Sequence, residues 1–483
     1  MTFLKRHSRF LARLGWFCLA LVFLVVAADR LIDWICLPAP PNFHEKNLPE
    51  LATTPDGILH CGKSWLTRRN GIWQMYLEGN PFLIGYTCAR LTNGVMKDFE
   101  DDFIGVMKRK IPSVVLRKLL REYIVIRMRH LPDFVEEENK LEILGISRGF
   151  TDHHPEIGPL YDRLLDYHAA HDVSHFVLDL LPSAISWNGC TAFAAWGTQI
   201  ANGHLLAGRN FDFDGGEDFD KDKIVIFFKP EKGYGFLSVA WPGMMGVVSG
   251  MNEKRLYVSI NAGSSQDNRE VGTPSCFVAR KVLQYAASID EAVSMISEEK
   301  MFVSDSFLIA DGKTGKAVVV EKSPKRMGVR EASGDWLVCA NHYFTPGLAQ
   351  DPKNLSYISN SSTLNRQHRM EQLVAKAAGR MDVFNAAAML RDRGSDLENA
   401  GGGFDPKAIN PLIATHSVIA DVTEGILWVS QGPHQLGAYV PFGITHFGSP
   451  TGEPLIPADP FLLDGRYDRY LKKSSSVTIY KRN

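Results

Sequence analysis

The 483-residue sequence lacks the short motifs that mark several large enzyme classes. It contains no C-x-x-C pair, which excludes a zinc ribbon and a thioredoxin-like redox site. It also lacks the G-x-S-x-G serine elbow, the phosphate-binding P-loop and the glycine-rich dinucleotide fingerprint. Cysteine is sparse, with seven in the whole chain, so disulfide bonds are not expected to be the main source of stability.

An excess of charge of either sign is also missing. The chain has 53 basic and 54 acidic residues and a formal net charge of -1, so nothing in its charge points to nucleic acid as a partner. Hydrophobic residues make up 45% and charged residues 22%, which is typical of a folded globular protein.

The amino terminus has the pattern of an export signal. A basic cluster (residues 5–13) precedes an apolar run over residues 14–28, shorter than the ~20 residues of a membrane-spanning helix. The small residues 26–28 suit signal cleavage, whereas continued apolar character at 31–35 leaves an uncleaved anchor open. We predict a signal peptide or membrane anchor over residues 1–36. The body of the protein is then exported, either periplasmic or anchored facing outside the cytoplasm.

The rest of the chain divides by pattern into three parts. Residues 37–57 are proline-rich and polar, as in a linker, and residues 58–189 repeat apolar residues mainly at helical spacing. From residue 190 to 483, short apolar strands alternate with tight turns, and helical patterns lie between them. This mixture predicts a layered α+β fold. Helices are expected over 277–286, 289–297 and 365–378, and paired strands over 190–196 and 204–212.

Cys190 is the candidate nucleophile. It follows Asn188-Gly189 and precedes Thr191, and cleavage of the Gly189–Cys190 bond would leave it with a free α-amine. Such an amine has an ordinary pKa near ~8 and can serve as the base for the thiol beside it. Gly189 suits a scissile bond because a residue without Cβ tolerates strained backbone. The alternative is that Cys190 is an ordinary buried strand cysteine.

Arg209 and Asp212 are the candidate partners of this cysteine. They end the strand predicted to pair with the Cys190 strand through one turn, and paired strands place their residues side by side. A carboxylate in that position orients an α-ammonium group, and an arginine lowers the pKa of a thiol. The pair alone also fits a structural salt bridge.

Several segments in fixed order carry a resemblance to a known family. They are residues 77–86, 144–146, 189–197, 208–212, 250–263, 307–312 and 338–343. Together they resemble the cysteine N-terminal nucleophile hydrolases. The similarity is to the isopenicillin N acyltransferase-like autoproteolytic acyltransferase/hydrolases, with choloylglycine (bile salt) hydrolases more distant. The resemblance covers about residues 75–450. One departure is Arg255, where the family commonly has glycine.

The resemblance implies a fold and a set of roles. It implies an αββα four-layer sandwich, with residues 58–189 as propeptide and 190–483 as the catalytic chain. The implied site residues are Cys190 as nucleophile, Asp212 holding its α-amine, Arg209 beside the thiol, Asn261 as an oxyanion or amine contact, Asn341 as a second polar contact, and either Arg366 or Arg369.

A histidine-rich helix offers the other candidate site. His168, His171 and His175 fall along one helix face, which is compatible with metal binding. Because no cysteine partner is near, we interpret them as surface or interface residues and expect no metal. No cofactor is expected either, since the nucleophile supplies its own base.

The sequence therefore predicts an exported, self-processing enzyme that hydrolyses or transfers an amide-bound acyl group through a Cys190 thioester. The expected partners are a small-molecule or lipid amide, a membrane at the N-terminal segment and the chain's own cleaved propeptide. The substrate remains open among penicillin-type amides, bile-salt conjugates, N-acyl amino acids and lipid amides. The choice between hydrolysis and transfer remains open as well. The alternative is an exported binding or scaffold protein with an idle nucleophile.

Overall fold

The computed structural model describes residues 16–472 apart from 18–19, 21–22, 25–26, 181–188, 213–217 and 395–406. The predicted basic cluster and about half of the predicted apolar run lie outside these residues, as does Asn188. Among the helices of the described residues, none combines the length and apolarity needed to cross a membrane.

The strands are short and lie mainly in the second half of the chain. They are β1 (Leu51–Thr53), β2 (Leu59–Cys61), β3 (Ser64–Arg69), β4 (Ile72–Gly79), β5 (Thr191–Ala195), β6 (Leu206–Asp212), β7 (Ile224–Pro230), β8 (Phe236–Ala240), β9 (Ser249–Asn252), β10 (Leu256–Ala262), β11 (Asp305–Asp311), β12 (Lys316–Lys322), β13 (Met327–Glu331), β14 (Trp336–Cys339), β15 (Ala414–Asp421), β16 (Ile426–Ser430) and β17 (Tyr439–Gly443).

The helices fall into a group before Cys190 and a group after it. They are α1 (Pro81–Lys110), α2 (Val114–Met128), α3 (Glu137–Gly149), α4 (Leu160–His168), α5 (Ala170–Leu180), α6 (Asp218–Lys221), α7 (Ser275–Tyr285), α8 (Ile289–Glu298), α9 (Pro352–Asn360), α10 (Thr363–Lys376), α11 (Val383–Leu390) and α12 (Pro460–Leu463).

Two sheets organise the described residues. One runs β1-β2-β3-β4-β7-β8-β9-β10-β11-β12-β13, and the other runs β14-β5-β6-β15-β16-β17. Neighbouring strands are antiparallel except β4 and β7, which are parallel. Their inner faces share one apolar core, which includes Ala192 and Val429 from one sheet and Val225 and Leu308 from the other.

Helices cover the outer face of each sheet. On the first sheet, α1 packs against β3 and β4, and α7 packs against β9 and β10. On the second, α10 packs against β14 and β5, and α11 against β6 and β15. The predicted mixture of α and β elements is confirmed, and the layers run helix, sheet, sheet, helix.

The segment before Cys190 shares its core with the segment after it. Strand β4 extends the first sheet by pairing with β7, and helices α1 and α3 cross at two glycines. A Cβ on Gly85 would lie 1.8 Å from the Glu142 carbonyl oxygen, and one on Gly145 would lie 2.1 Å from the Phe82 oxygen. Only residues without side chains allow the two helices to approach so closely.

Candidate active site

Cys190 lies immediately before β5 and is 5% exposed. Strands β5 and β6 pair with Ala192 opposite Arg209, so the end of β6 lies beside the cysteine. Arg209 Nη2 donates to Cys190 Sγ over 3.5 Å. The two residues that the sequence places on neighbouring strands are therefore in contact.

The Arg209 guanidinium is completely buried and held on several sides. It donates to Ser249 Oγ over 2.7 Å, to His416 Nε2 over 3.3 Å and to the Ile260 carbonyl oxygen. Its carbon lies 4.3 Å from the centre of the Phe211 ring. These contacts fix one positive charge beside the thiol.

Burial raises the pKa of the Cys190 thiol in the uncleaved chain. The Arg209 charge and the backbone N–H of Asp212 oppose this effect, whereas the Asp212 carboxylate adds to it. A protonated thiol is a weak nucleophile, and the raised pKa favours this protonated form in the uncleaved chain.

Asp212 is a buried carboxylate without a hydrogen-bond donor. Neither of its oxygens accepts a hydrogen bond from the described residues. Burial raises its pKa to about 7, against the opposing charges of Arg366 and Arg209. Because a buried polar group without a partner is costly, the site holds an acceptor that still needs a donor.

Gly189 is enclosed by two polar side chains. A Cβ at this position would lie 1.9 Å from Asn341 Oδ1 and 2.7 Å from Arg366 Nη2, so the site has room for glycine alone. Arg366 donates to the Cys190 carbonyl oxygen over 2.6 Å, to Thr191 Oγ1 over 2.9 Å and to Asn341 Oδ1 over 2.9 Å. Both sides of the Gly189–Cys190 bond are thereby held by α10 and the loop after β14.

The structure separates the two candidate arginines. Arg366 is 1% exposed and contacts Cys190, whereas Arg369 lies one turn further along α10. Arg369 forms an ion pair with Asp392 over 2.7 Å, and its side chain is 40% exposed. Arg366 is therefore the arginine placed at the thiol site.

The two asparagines use their side-chain amides to fasten the surrounding backbone. Asn261 Nδ2 donates to the carbonyl oxygens of Cys339 and Ala340 over 2.8 and 3.2 Å, and its Oδ1 accepts from Arg209 over 3.4 Å. Asn341 Nδ2 donates to the Ala262 oxygen over 2.9 Å. Both residues lie around the thiol site with their donors engaged by backbone carbonyls, and their role as oxyanion or amine contacts stays a prediction.

Three further residues at the site were not identified from the sequence. His416 and Ser249 meet Arg209, and His416 also stacks on Phe211 with ring centres 5.3 Å apart. Burial raises the pKa of Tyr357, and Cys190 adds to that rise, which places Tyr357 near the thiol. The sequence feature that could have pointed to His416 is a histidine followed by a serine within a mostly apolar strand.

The three histidines of the predicted histidine-rich helix occupy different surroundings. His168 is 4% exposed, and its Nε2 accepts a hydrogen bond from the Met245 backbone over 2.9 Å. His171 and His175 instead lie close to Asp305 on β11. The three histidines thus lie at the interface of α4 and α5 with the first sheet.

Part of the chain is similar to a family of acyl-transferring enzymes. Residues 199–400 match the family model described as acyl-coenzyme A:6-aminopenicillanic acid acyl-transferase. The resemblance predicted from the sequence is thereby confirmed.

Curated relatives share modest identity with the chain. An uncharacterized protein of Archaeoglobus fulgidus is 24% identical over 399 residues, covering 75% of this chain and 64% of the relative. An N-acylethanolamine-hydrolyzing acid amidase of Caenorhabditis elegans is 22% identical over 210 residues, covering 41% of this chain and 58% of the relative. The chain thus spans less than two thirds of the length of either protein.

Solved structures of similar proteins cover about half of the chain. The Caenorhabditis elegans N-acylethanolamine-hydrolyzing acid amidase ortholog is 18% identical, with a TM-score of 0.36, over 48% of this chain and 93% of that one. A mutant conjugated bile acid hydrolase from Clostridium perfringens is 16% identical, with a TM-score of 0.36, over 55% and 95%. Penicillin V acylase from Agrobacterium tumefaciens is 16% identical, with a TM-score of 0.34, over 53% and 86%.

Proposed function

We propose that this protein is a self-processing thiol enzyme that cleaves an amide-bound acyl group, with Cys190 as its nucleophile. One observation carries the proposal. The Asp212 carboxylate, which has no donor among the described residues, lies buried beside the Cys190 thiol, where the α-amine released by cleavage after Gly189 would become its donor. The match of residues 199–400 to an acyl-transferase family supports the same chemistry.

Processing would begin with attack of the Cys190 sulfur on the Gly189 carbonyl carbon. The C–N bond of the peptide breaks, a thioester forms, and the nitrogen takes up a proton as the α-amine. Water then hydrolyses the thioester, which leaves a Gly189 carboxylate and a free thiol. The position of Arg366 next to Gly189 supports this step, because a positively charged donor near a carbonyl stabilises the developing oxyanion.

Turnover would use the same sulfur with its own amine as base. The α-amine takes the thiol proton, the thiolate attacks the substrate carbonyl, and the amine returns the proton to the leaving nitrogen. Water or an acceptor amine then takes the acyl group from the thioester. Asp212 would orient the α-ammonium, and Arg209 would stabilise the thiolate through its fixed charge.

The proposed substrate is an acyl group in amide linkage to a small polar molecule, either a soluble amide or a lipid amide. The names of the matched family and of the nematode relative support this class, because they refer to 6-aminopenicillanic acid and to N-acylethanolamines. A panel of N-acyl substrates, assayed with and without an acceptor amine, would identify the acyl group, and mass detection of the free acid or of the acylated acceptor would separate hydrolysis from transfer.

We further propose that the protein is exported and contacts a membrane through its N-terminal segment. Helix α2 supports this, because Val114, Val115 and Leu119 on it are 70%, 69% and 61% exposed. An ion pair of 3.2 Å between Lys118 and Asp29 joins α2 to the segment that follows the predicted apolar run. Protease accessibility in intact cells, together with cell fractionation, tests export and membrane contact.

Mass spectrometry of the intact purified protein tests the proposed function directly. We expect two chains, the second beginning at Cys190, and one uncleaved chain in Cys190→Ala. Cys36→Ala provides a matched control, because Cys36 lies far along the chain from the site and is not buried. A single wild-type chain whose thiol resists acyl-type probes would overturn the proposal and support the binding or scaffold alternative.

A further inference from the structure

A second cluster of chemically reactive side chains lies where α5 meets the start of β11. His171 and His175 are four residues apart on α5, so they share one helix face. That face is directed at Asp305, and the candidate ligand atoms of the three residues all lie within 4.8 Å of one another. None of the three belongs to the thiol site described above.

The closest pair in this cluster already has a separation suited to shared metal binding. His171 Nε2 lies 3.2 Å from Asp305 Oδ1. Two ligands of a tetrahedral zinc ion with bonds of ~2.0–2.1 Å are about 3.3 Å apart. A rotation of the His175 side chain completes the trio, and its partial exposure leaves space for this movement.

The charges around the cluster favour a cation. Asp305 and Asp172 are both completely buried, and the Ser275 hydroxyl lies between them. One hydroxyl hydrogen cannot satisfy both carboxylates, and Asp172 Oδ2 has no hydrogen-bond partner among the described residues. In the described part of the chain, neither carboxylate forms an ion pair with lysine or arginine. Asp305 is paired with His171 over 3.2 Å, and a divalent ion in place of the imidazole proton would neutralise the same buried carboxylate.

We propose that His171, His175 and Asp305 bind a divalent transition-metal ion of the zinc type. Two imidazoles and a carboxylate are a zinc ligand set, and the open position suits water. Ser275 would orient Asp305 from behind and link it to Asp172, as partners of metal ligands commonly do. The sequence indicates the two histidines of this set but not Asp305, which lies 134 residues along the chain from His171.

The position of the site gives the ion a structural role. Helix α5 precedes the Gly189–Cys190 bond, and Asp305 pairs with Ala262 on β10, one residue from Asn261. The ion would fix α5 to the sheet that carries the thiol site. If the chain is cleaved as proposed, the same ion would join residues 1–189 to residues 190–483. That joining role rests on the proposed function, whereas metal binding itself does not.

Zinc binding to the full chain tests this proposal. Protein stripped with a chelator is titrated with zinc chloride, bound metal is counted by elemental mass spectrometry, and melting is followed by fluorescence. We expect one zinc per chain and a rise in Tm for the wild type. Binding is expected to be lost in His171→Ala/His175→Ala and weakened at least tenfold in Asp305→Asn, which preserves side-chain shape. The matched control is His130→Ala, because His130 is 56% exposed and lies outside the cluster.

Circular dichroism shows whether each variant is folded, and cobalt(II) gives an independent spectroscopic signal. Tetrahedral cobalt absorption in the wild type and in Asp305→Asn, with a changed spectrum in the latter, would support a ligand role for Asp305. Equal zinc binding by the wild type and the folded double-histidine variant would overturn the proposal. Zinc titration of Cys190→Ala separates the metal-binding proposal from the proposed self-cleavage. The uncleaved chain of this variant is expected to bind zinc as the wild type does.

Discussion

At the scale of single residues, Asp212 presents the largest electrostatic imbalance of the thiol site. Its two oxygens are buried and accept no hydrogen bond from the part of the chain that the structure describes, and burial raises its pKa to about 7 from an ordinary value of 3.8. The folded, uncleaved chain therefore binds a proton on Asp212 more tightly than the unfolded chain does. Its stabilising effect is fully present below about pH 3.8 and is lost as the pH rises through about 7.

This sign predicts how the uncleaved chain responds to pH. Cys190→Ala should be more stable at pH ~5 than at pH ~8, and replacing Asp212 with Asn in that background should remove part of the difference. About two pKa units lie between pH ~5 and the folded pKa of about 7, so the upper size of that part is about 3 kcal/mol. Denaturant unfolding at the two pH values measures it. An unchanged pH difference in the double variant would show that other buried carboxylates, such as Glu142, cause the whole effect.

The same residue predicts an effect on turnover. In the cleaved enzyme, Asp212→Asn removes the charge that would hold the α-ammonium. The α-amine can then rotate away from the thiol of the same residue. We expect kcat to fall by about 10²-fold or more, a loss typical of a positioned acid–base partner. Steady-state kinetics on cleaved protein measure this change. A fall in KM alone, with kcat retained, would contradict the role.

Gly189 supplies a steric prediction at the scissile bond. Gly189→Ala would drive a methyl group into Asn341 and Arg366, so the bond should move away from the Cys190 sulfur. We expect self-cleavage to slow by at least tenfold, followed on denaturing gels over time. Gly203→Ala is the comparison variant for the loss of a glycine without a steric clash, because an added Cβ meets open space there. Its positive φ of 74° still adds backbone strain. Cleavage at the wild-type rate in Gly189→Ala would show that this packing is unimportant.

At the scale of helices and strands, local patterns predicted much of the second half of the chain. Helices expected over 277–286 and 365–378 are observed as α7 and α10, displaced by one or two residues. The predicted strand pair is observed as β5 and β6, and its register brings Arg209 to Cys190. These elements follow from spacing within one short segment, which is the information that a single sequence contains.

Such local patterns could not predict the contacts between segments that are distant in the sequence. Strands β2 to β4 join the first sheet by pairing β4 with β7, across about 150 residues, whereas their own sequence alternates only weakly. Helix α1 begins at Pro81 because Asn80 Oδ1 caps the Leu83 backbone N–H over 2.9 Å, a start that the helical spacing over residues 58–189 does not locate. The choice between Arg366 and Arg369 likewise depends on how α10 is rotated against β5.

That rotation of α10 leads to a paired prediction. Arg366 makes three separate hydrogen bonds with its planar guanidinium, which the single ammonium of lysine cannot reproduce. Arg366→Lys should therefore slow self-cleavage by about tenfold or more, since one lost good hydrogen bond to charge is worth about 1.5–3 kcal/mol. Arg369→Lys is the matched control on the same helix, and its exposed ion pair should matter little. Equal cleavage rates in the two variants would contradict the assignment of Arg366 to the site.

At the scale of the whole molecule, the proposed cleavage would divide one core between two chains. Glu142 on α3 and Arg280 on α7 form an ion pair of 2.7 Å in which both side chains are 2% exposed. Arg280 also donates to the Met245 oxygen over 2.7 Å and lies over the Phe228 ring. Together with the β4–β7 pairing, these contacts join residues 1–189 to an apolar core cluster that they share with residues 190–483.

The cleaved protein should therefore remain one particle. We expect both chains to elute together from size-exclusion chromatography, even in high salt, and to separate only under denaturing conditions, because apolar burial is not screened by salt. Replacing Arg280 with Ala leaves the Glu142 charge buried without its partner, a change that typically costs about 3–5 kcal/mol. We expect this variant to release residues 1–189 at lower denaturant concentration than the wild type does. The exposed pair Lys63–Glu78 provides the control, since Lys63→Ala should leave the dissociation midpoint unchanged. Two separate elution peaks for the cleaved wild-type protein would show that the N-terminal part is a removable propeptide and not a lasting subunit.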